Sequence, residues 1–365
     1  MGYVCVRVIP HKNRNHGVCS VGNALAQPLY RLHELAFRTQ YGELKERVQF
    51  AGDLLPGTPG SLALRTGSGR GYWYRVFNSV PGKTAETLVA KEGDEAALEN
   101  MRLRMGLSEW ITDQVSALRK LGFQVADKKT ARVLVELHNR GAFDAGLVLV
   151  GILGYMAWLN ELGIRAVSAR TLDVDLARRQ QLKLATPLPF LDTMKATGLP
   201  FVAVPGLPST APSTSVKLPG VEGLRVDVLA PGKTLGAAIA VPEMEWTAQA
   251  IPHYDYLLAD AEPAAMLAGG HCIPVRLPQA ARLVWHKLYA ATQRKGAAEK
   301  AAKDEHQALV LGAVLADEES RALTRAFADA PTAMTRPIHT MKKRLSAKAA
   351  AHPALVDILA KCLKD

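Results

Sequence analysis

At 365 residues and 48% hydrophobic side chains, the chain can bury a sizeable core and lies near the length at which chains divide into lobes. Its formal net charge of +11 points towards anionic ligands, and no apolar run approaches the roughly 18 residues of a membrane-spanning helix. Cys5, Cys19, Cys272 and Cys362 are scattered without paired spacing, which argues against a zinc site or a disulfide framework.

The amino terminus has only a short apolar run before His11, Lys12, Arg14 and His16, an unconvincing secretory signal, so a reducing cytoplasm is the simplest setting. After this loose polar stretch, apolar positions Leu29, Leu32, Leu35 and Ala36 predict a helix over 29–50. Gly and Pro between Pro56 and Gly60 break it. Ser61–Leu64 and Tyr72–Phe77 read as paired strands around a turn at Gly67–Gly71. Tyr72, Trp73 and Tyr74 suit either stacking on a base or, more commonly for aromatics in a hairpin, packing on a neighbouring element. A charged helix from about Glu95 to Leu121 and another over Lys129–Asn139 follow.

Leu147-Val-Leu-Val-Gly-Ile-Leu-Gly154 reads as a buried strand that breaks at Gly151 and enters a helix through Tyr155, Trp158 and Leu162. Such a turn presents free backbone N–H groups to an anion, although strand–Gly–helix is also a common tight connection. Next comes Thr171-Leu-Asp-Val-Asp-Leu-Ala177, then a helix around Phe190–Thr197, a strand at Leu199–Val204, and a Pro/Ser/Thr-rich connection over Pro205–Ser215. Strands resume at Val216–Lys217 and Arg225–Leu229, with others at Ala237–Val241, Met266–Ala268 and Cys272–Val275. This alternation predicts a mixed sheet with helices rather than a doubly wound dinucleotide fold. Gly-x-Gly-x-x-Gly is absent after the first core strand, and Gly232-Lys-Thr234 lacks the leading glycine and the context of a phosphate loop.

From Pro278 onward the pattern is helical, with Leu283, Lys287, Leu288 and Ala291 on one face and Arg294 two turns beyond Lys287 on much the same side. Charge follows these regions. Residues 1–145 hold 20 Lys/Arg against 14 Asp/Glu, residues 146–275 hold 9 against 11, and residues 276–365 hold 16 against 9. An acidic middle is therefore flanked by basic segments, which would attract phosphates and a polyanion such as RNA, or else are solvated helix faces. No recognised RNA-binding module is present.

The chemistry-bearing residues are Asp173, Asp175 and Asp227. Sixteen aspartates produce about one Asp-x-Asp pair by composition alone, so the context carries the weight. On a strand, Asp173 and Asp175 share a face with Cα atoms roughly 6.6 Å apart, and Asp227 in Leu224-Arg-Val-Asp-Val-Leu229 has the same setting. A neighbouring strand could bring it beside the pair, making an oxygen-donor site for one or two divalent ions; solvated strand-edge acids are the alternative.

The order of these motifs is similar to the bacterial minimal nucleotidyltransferases of the DNA polymerase-β-like superfamily. The similarity runs from the glycine turn and the helix ending Leu-Gly-Ile-Arg165 through Arg170-Thr-Leu-Asp-Val-Asp-Leu176 to Arg225-Val-Asp227. It continues through Val275-Arg-Leu-Pro-Gln-Ala-Ala-Arg282, Trp285-His-Lys-Leu288, Arg294 and Lys303-Asp-Glu-His-Gln-Ala308, and even Gly71-Tyr-Trp-Tyr-Arg75 looks like one branch of the family.

The resemblance implies a mixed α+β fold: a polymerase-β-like core sheet with flanking helices over 141–276, an amino-terminal α/β extension over 1–140 and a carboxy-terminal helical domain over 277–365. It implies a metal-dependent enzyme in which Asp173, Asp175 and Asp227 hold Mg²⁺ or Mn²⁺. Gly151, Ile152, Arg170, Lys287, Arg294 and Lys303 would bind a nucleoside triphosphate, with Lys287, Arg294 and Lys303 alternatively plain surface cations. Asp304 is expected to pair with a neighbouring base, and His286 to be a packed histidine.

An NMP group would pass to a hydroxyl of RNA, a protein or a small molecule. Relatives include toxin components and resistance enzymes, so a toxin–antitoxin partner is among the expectations. One departure matters: the family usually has Ser or Thr after the glycine, and this chain has Ile152. The corresponding alternative is a catalytically impaired module that binds nucleotide, RNA or a protein.

Overall fold

The computed structural model describes residues 27–80, 82–168, 171–206 and 208–364. Arg170, Cys5 and Cys19 lie outside the described residues. The fold is mixed α+β, built around a seven-stranded sheet. Across it run Ala238–Val241, Trp246–Ile251, Arg225–Pro231, Asp173–Arg178 and Leu147–Leu149 in that order, with Ser215–Lys217 and Val202–Ala203 extending it off the first half of Arg225–Pro231.

Direction in this sheet is mixed. Asp173–Arg178 and Arg225–Pro231 are parallel, as are Arg225–Pro231 and Trp246–Ile251. Leu147–Leu149 lies antiparallel to Asp173–Arg178. Parallel neighbours need a long crossover, and between the two aspartate strands the helix Phe190–Ala196 lies in that connection. Val174, Leu176, Val226 and Val228 are all fully buried on one face, because alternate strand residues point the same way. The aspartates consequently fall on the other face.

The helix Gly151–Glu161 starts immediately after the short Leu147–Leu149 strand and packs on Asp173–Arg178. It is apolar almost all round, with Leu153 to Asn160 all buried, as expected of a helix enclosed by other elements. Trp158 Nε1 donates to the Pro278 carbonyl at 2.9 Å, tying this helix to the start of the carboxy-terminal helices. Those are Ala280–Gln293, Ala298–Glu318, Ser320–Ala328, Thr332–His339, Lys342–Lys348 and Pro353–Cys362.

Several sequence expectations need correction. The first helix is Leu35–Gln49, and its buried residues are Tyr41, Leu44 and Val48; Leu32 and Leu35 are exposed. Arg31–Leu32 instead pairs with Ile164–Arg165, a non-local contact that local periodicity cannot reveal. Strand Leu199–Val204 shrinks to Val202–Ala203. The strands at Met266 and Cys272 are longer, Glu262–Ala268 and His271–Leu277, and form their own hairpin outside the main sheet. Its two-residue loop, Gly269-Gly270, has positive φ at both positions, the demand of the tight hairpin turn that glycine meets without strain.

The amino-terminal hairpin is present as Ser61–Gly67 and Arg70–Val80, and a third strand, Lys83–Lys91, completes its sheet. The helices Glu95–Lys120 and Lys128–Asn139 match their predicted positions within a residue. Asp127 caps the second through hydrogen bonds from the amides of Lys129 and Thr130. Trp246–Ile251 has no counterpart in the sequence reading.

Candidate active site

Strand register assembles the polar face. Asp175 stands opposite Asp227, and Asp173 opposite Arg225, on adjacent parallel strands. On the far side of the same strand Ser215 pairs with Asp227 and Lys217 with Arg225. Neighbouring strands lie about 4.8 Å apart, so Asp175, Asp227 and Ser215 form one row across the sheet and Asp173, Arg225 and Lys217 the next. Arg225 binds Asp227 through Nε to Oδ1 at 2.8 Å and reaches Ser215 Oγ at 2.8 Å.

This arrangement perturbs the acids. Burial pushes the Asp175 carboxyl up to about 6, the nearby Asp227 and Asp173 charges add to the rise, and Lys287 and Lys303 oppose it. Burial also raises Asp227, but Arg225 and Ser215 pull against that rise. Asp173 is exposed at the start of its strand, with its amide bonded to Thr171 Oγ1 at 3.0 Å.

Gly151 sits beside Asp175. Its φ is +67°, and a Cβ there would lie 2.8 Å from Asp175 Cγ and closer still to Oδ2. The Val150 amide donates to the Asp175 carbonyl at 3.0 Å, locking the turn to the strand. The first intrahelical bond is Gly154 N–H to Val150 O, and the amides of the first helical turn have no intrahelical acceptor. They present partial positive charge next to Asp175. Ile152 is half-buried and packs against the core, so no side-chain hydroxyl accompanies those amides. Gly154 is buried against the Leu149 carbonyl, 3.0 Å from where its Cβ would be, so its smallness serves close packing.

The carboxy-terminal helices bring cations to the same region. Lys287 is buried, not a surface cation, and its ammonium lies 3.4 Å from Asp304 Oδ1. Arg294, which ends the Ala280–Gln293 helix, holds Asp304 Oδ2 through Nε at 2.5 Å. Burial lowers the Lys287 ammonium while Asp304 and Asp175 favour its charge. Lys303 is half-buried and forms no ion pair among the described residues. It acts electrostatically on both Asp175 and Lys287.

Buried Tyr254 faces Asp175 and Asp304; burial first, then these charges, raise its phenol. His286 is buried against Tyr254 and Tyr289, so it is a packed residue.

The donor set suits a hard divalent cation: three carboxylates on one sheet face, with excess negative charge around Asp175 that a cation would relieve. Among the described residues, however, no three acidic, His or Cys side chains are drawn to one point. Arg225 holds Asp227 to one side.

Sequence reasoning missed Arg225, Ser215 and Tyr254. Arg225 was readable, since Arg-x-Asp on a strand puts both side chains on one face. Ser215 lay in a stretch read as a connection, and nothing local marks Tyr254.

A mixed sheet thus carries paired carboxylates beside a glycine-turn helix. The chain belongs to a nucleotidyltransferase family: the family model described as Nucleotidyltransferase matches residues 128–332, more than half of the chain. No curated protein and no solved structure matches it.

Proposed function

We propose that the protein is a metal-dependent nucleotidyltransferase with a polymerase-β-like core, transferring an NMP group from a nucleoside triphosphate to an acceptor hydroxyl with release of pyrophosphate. The observation that carries this reading is the register pairing of Asp175 with Asp227 beside the amino terminus of the Gly151–Glu161 helix. The three-region organisation, with the chemistry in 141–276 and phosphate-binding cations supplied from 277–365, belongs to the same proposal.

Asp173, Asp175 and Asp227 would hold Mg²⁺ or Mn²⁺, which when bound neutralises phosphate charge and supports in-line displacement. The amides of Gly151 and Ile152 donate to phosphate oxygens. Lys287, Arg294 and Lys303 offset the charge of the leaving pyrophosphate, with Lys287 and Arg294 positioned by Asp304. Arg170, expected from sequence, would join them.

Asp227, steadied by Arg225 and Ser215, orients the acceptor hydroxyl and accepts its proton. The hydroxyl oxygen bonds to the α-phosphorus as the bond to the bridging oxygen of the β-phosphate breaks. Catalysis is then largely positioning and charge stabilisation.

Ile152 favours a second reading, a module that binds nucleotide, RNA or a protein without transfer, because its side chain cannot hydrogen-bond phosphate. Incubation with Mg²⁺, each labelled NTP, and total RNA or lysate separates the two. Label transfer that disappears in Asp175→Asn supports the enzyme; no transfer from any nucleotide supports the module; full activity in Asp175→Asn removes the aspartate assignment.

A further inference from the structure

A cavity lies away from the aspartate face. It has a volume of about 570 Å³ and opens between the three-stranded amino-terminal sheet, the helices Glu95–Lys120 and Lys128–Asn139, and the Gly269-Gly270 turn. That size is within the range of small-molecule sites, roughly 300–1,000 Å³. Arg119, Lys128, Arg132 and His271 line it, and no Asp or Glu does among the described residues. None of Asp173, Asp175 and Asp227 reaches it.

Among the described residues these cations meet no acidic side chain in the cavity wall. Arg132 is only 6% exposed, and Nε and Nη2 both donate to the Thr197 carbonyl, while Nη1, itself buried, has no hydrogen-bond partner among the described residues. His271 Nε2 contacts the Leu55 carbonyl at 3.0 Å, and burial lowers its basicity, so it adds no fixed charge. Glu136, the acid that acts on Arg132, is engaged by Arg140 at 2.7 Å.

Arg75, outside the cavity lining, is 2% exposed, bonded to the Pro56 carbonyl and stacked over the Phe77 ring at 3.8 Å, with Nε and Nη1 lacking a hydrogen-bond partner among the described residues. Burial and the charges of Arg104 and Arg132 push Arg75 down to about 10. Burying several like charges without anions is costly, and a buried guanidinium N–H without an acceptor adds to that cost.

We infer that this cavity is a binding site for a phosphorylated ligand of nucleotide size, separate from the aspartate site. Arg132 forms its base and exposed Arg119 and Lys128 its rim. A phosphate group supplies several acceptor oxygens and more than one negative charge, matching a wall that carries Arg132 and the exposed Arg119 and Lys128 and no acid among the described residues better than a single carboxylate does. Asn78 and Ser116, also in the wall, offer hydrogen bonds to the rest of such a molecule. The ligand is either a free nucleotide-like metabolite or the terminal phosphate of a nucleic-acid strand.

The test is isothermal titration of the full-length protein, without divalent metal, with inorganic phosphate, pyrophosphate, AMP and a short 5′-phosphorylated RNA oligonucleotide. Wild type and Asp175→Asn are expected to bind at least one probe equally. Arg119→Gln and Lys128→Gln, both at exposed positions, should each weaken binding by up to about fivefold, the range of exposed ion pairs. Tighter binding of AMP assigns the site to a free metabolite, and tighter binding of the oligonucleotide assigns it to a strand end. No binding of any probe at millimolar concentration overturns the inference, as does binding that is unchanged in both rim variants, whatever Asp175→Asn does.

Discussion

Gly151→Ala separates two roles of the turn glycine. Its φ of +67° is left-handed, which costs a residue bearing a Cβ about 1–2 kcal/mol. The added carbon would stand 2.8 Å from Asp175 Cγ and 3.1 Å from Asp175 Cβ, where unstrained carbon contacts are about 3.5–4.0 Å. Relief therefore requires the carboxylate to move by about 1 Å, enough to cost roughly 100-fold in a positioned reaction. The total destabilisation is expected to be about 2–5 kcal/mol, from backbone strain plus overpacking.

The assays are thermal unfolding and label transfer. Gly42→Ala is the control, since its added carbon meets nothing within 4 Å in the Leu35–Gln49 helix; it should gain about 0.5–1 kcal/mol and keep full transfer. If Gly151→Ala matched wild type in both measurements, the close approach of the turn to Asp175 would not govern the site.

Asp175→Asn should abolish transfer yet stabilise the metal-free protein near pH 7. A carboxyl raised from 3.8 to about 6 costs on the order of 3 kcal/mol when ionised, a cost present above pH 6 and absent below pH 4; an unchanged or lower melting temperature at pH 7 would contradict it. Lys287→Met should weaken triphosphate binding measured by titration, and unchanged affinity removes Lys287 from the site. The same variant should destabilise by about 1–3 kcal/mol, less than a fully broken buried pair, because Arg294 still holds Asp304.

His286 is held down to about 4 by burial. Its contribution to stability is therefore complete above the ordinary value of 6.5 and lost as pH falls towards 4, by about 3 kcal/mol. His286→Phe should flatten the fall in denaturant stability between pH 6.5 and 4.

Much of the candidate site's placement was readable because its signals are local. Leu147–Gly154 announces a strand, a turn and a helix through its apolar run and glycines, and Asp173 and Asp175 share a face by strand geometry alone. What could not be read depends on pairing between distant segments. The register that sets Asp227 opposite Asp175, rather than opposite Asp173, is fixed by the whole sheet. Trp246-Thr-Ala-Gln-Ala-Ile251 alternates apolar and polar residues but buries only Ala248 and Ala250, and its place between Arg225–Pro231 and Ala238–Val241 depends on pairing with other segments. Gly151 was legible as a turn residue, but not as the residue that leaves room for a carboxylate arriving from the next strand.

The charge pattern of the two walls explains why they stay apart. The sheet face holds three carboxylates against Arg225 and Lys217, and the helical wall holds Lys287, Arg294 and Lys303 against Asp304. Opposite surpluses this close would ordinarily collapse into ion pairs, and Asp175 does feel Lys287 and Lys303. Each wall instead engages its own counter-charges: Arg225 binds Asp227, and Asp304 binds both Lys287 and Arg294. On the proposed reading this leaves Asp175 for a cation and leaves Lys303, with the partly neutralised pair at Asp304, for phosphate oxygens. Asp304 and Arg225 are then as necessary as the aspartates and the lysine they hold, because without them the two walls would neutralise one another and leave no charge for a substrate to meet.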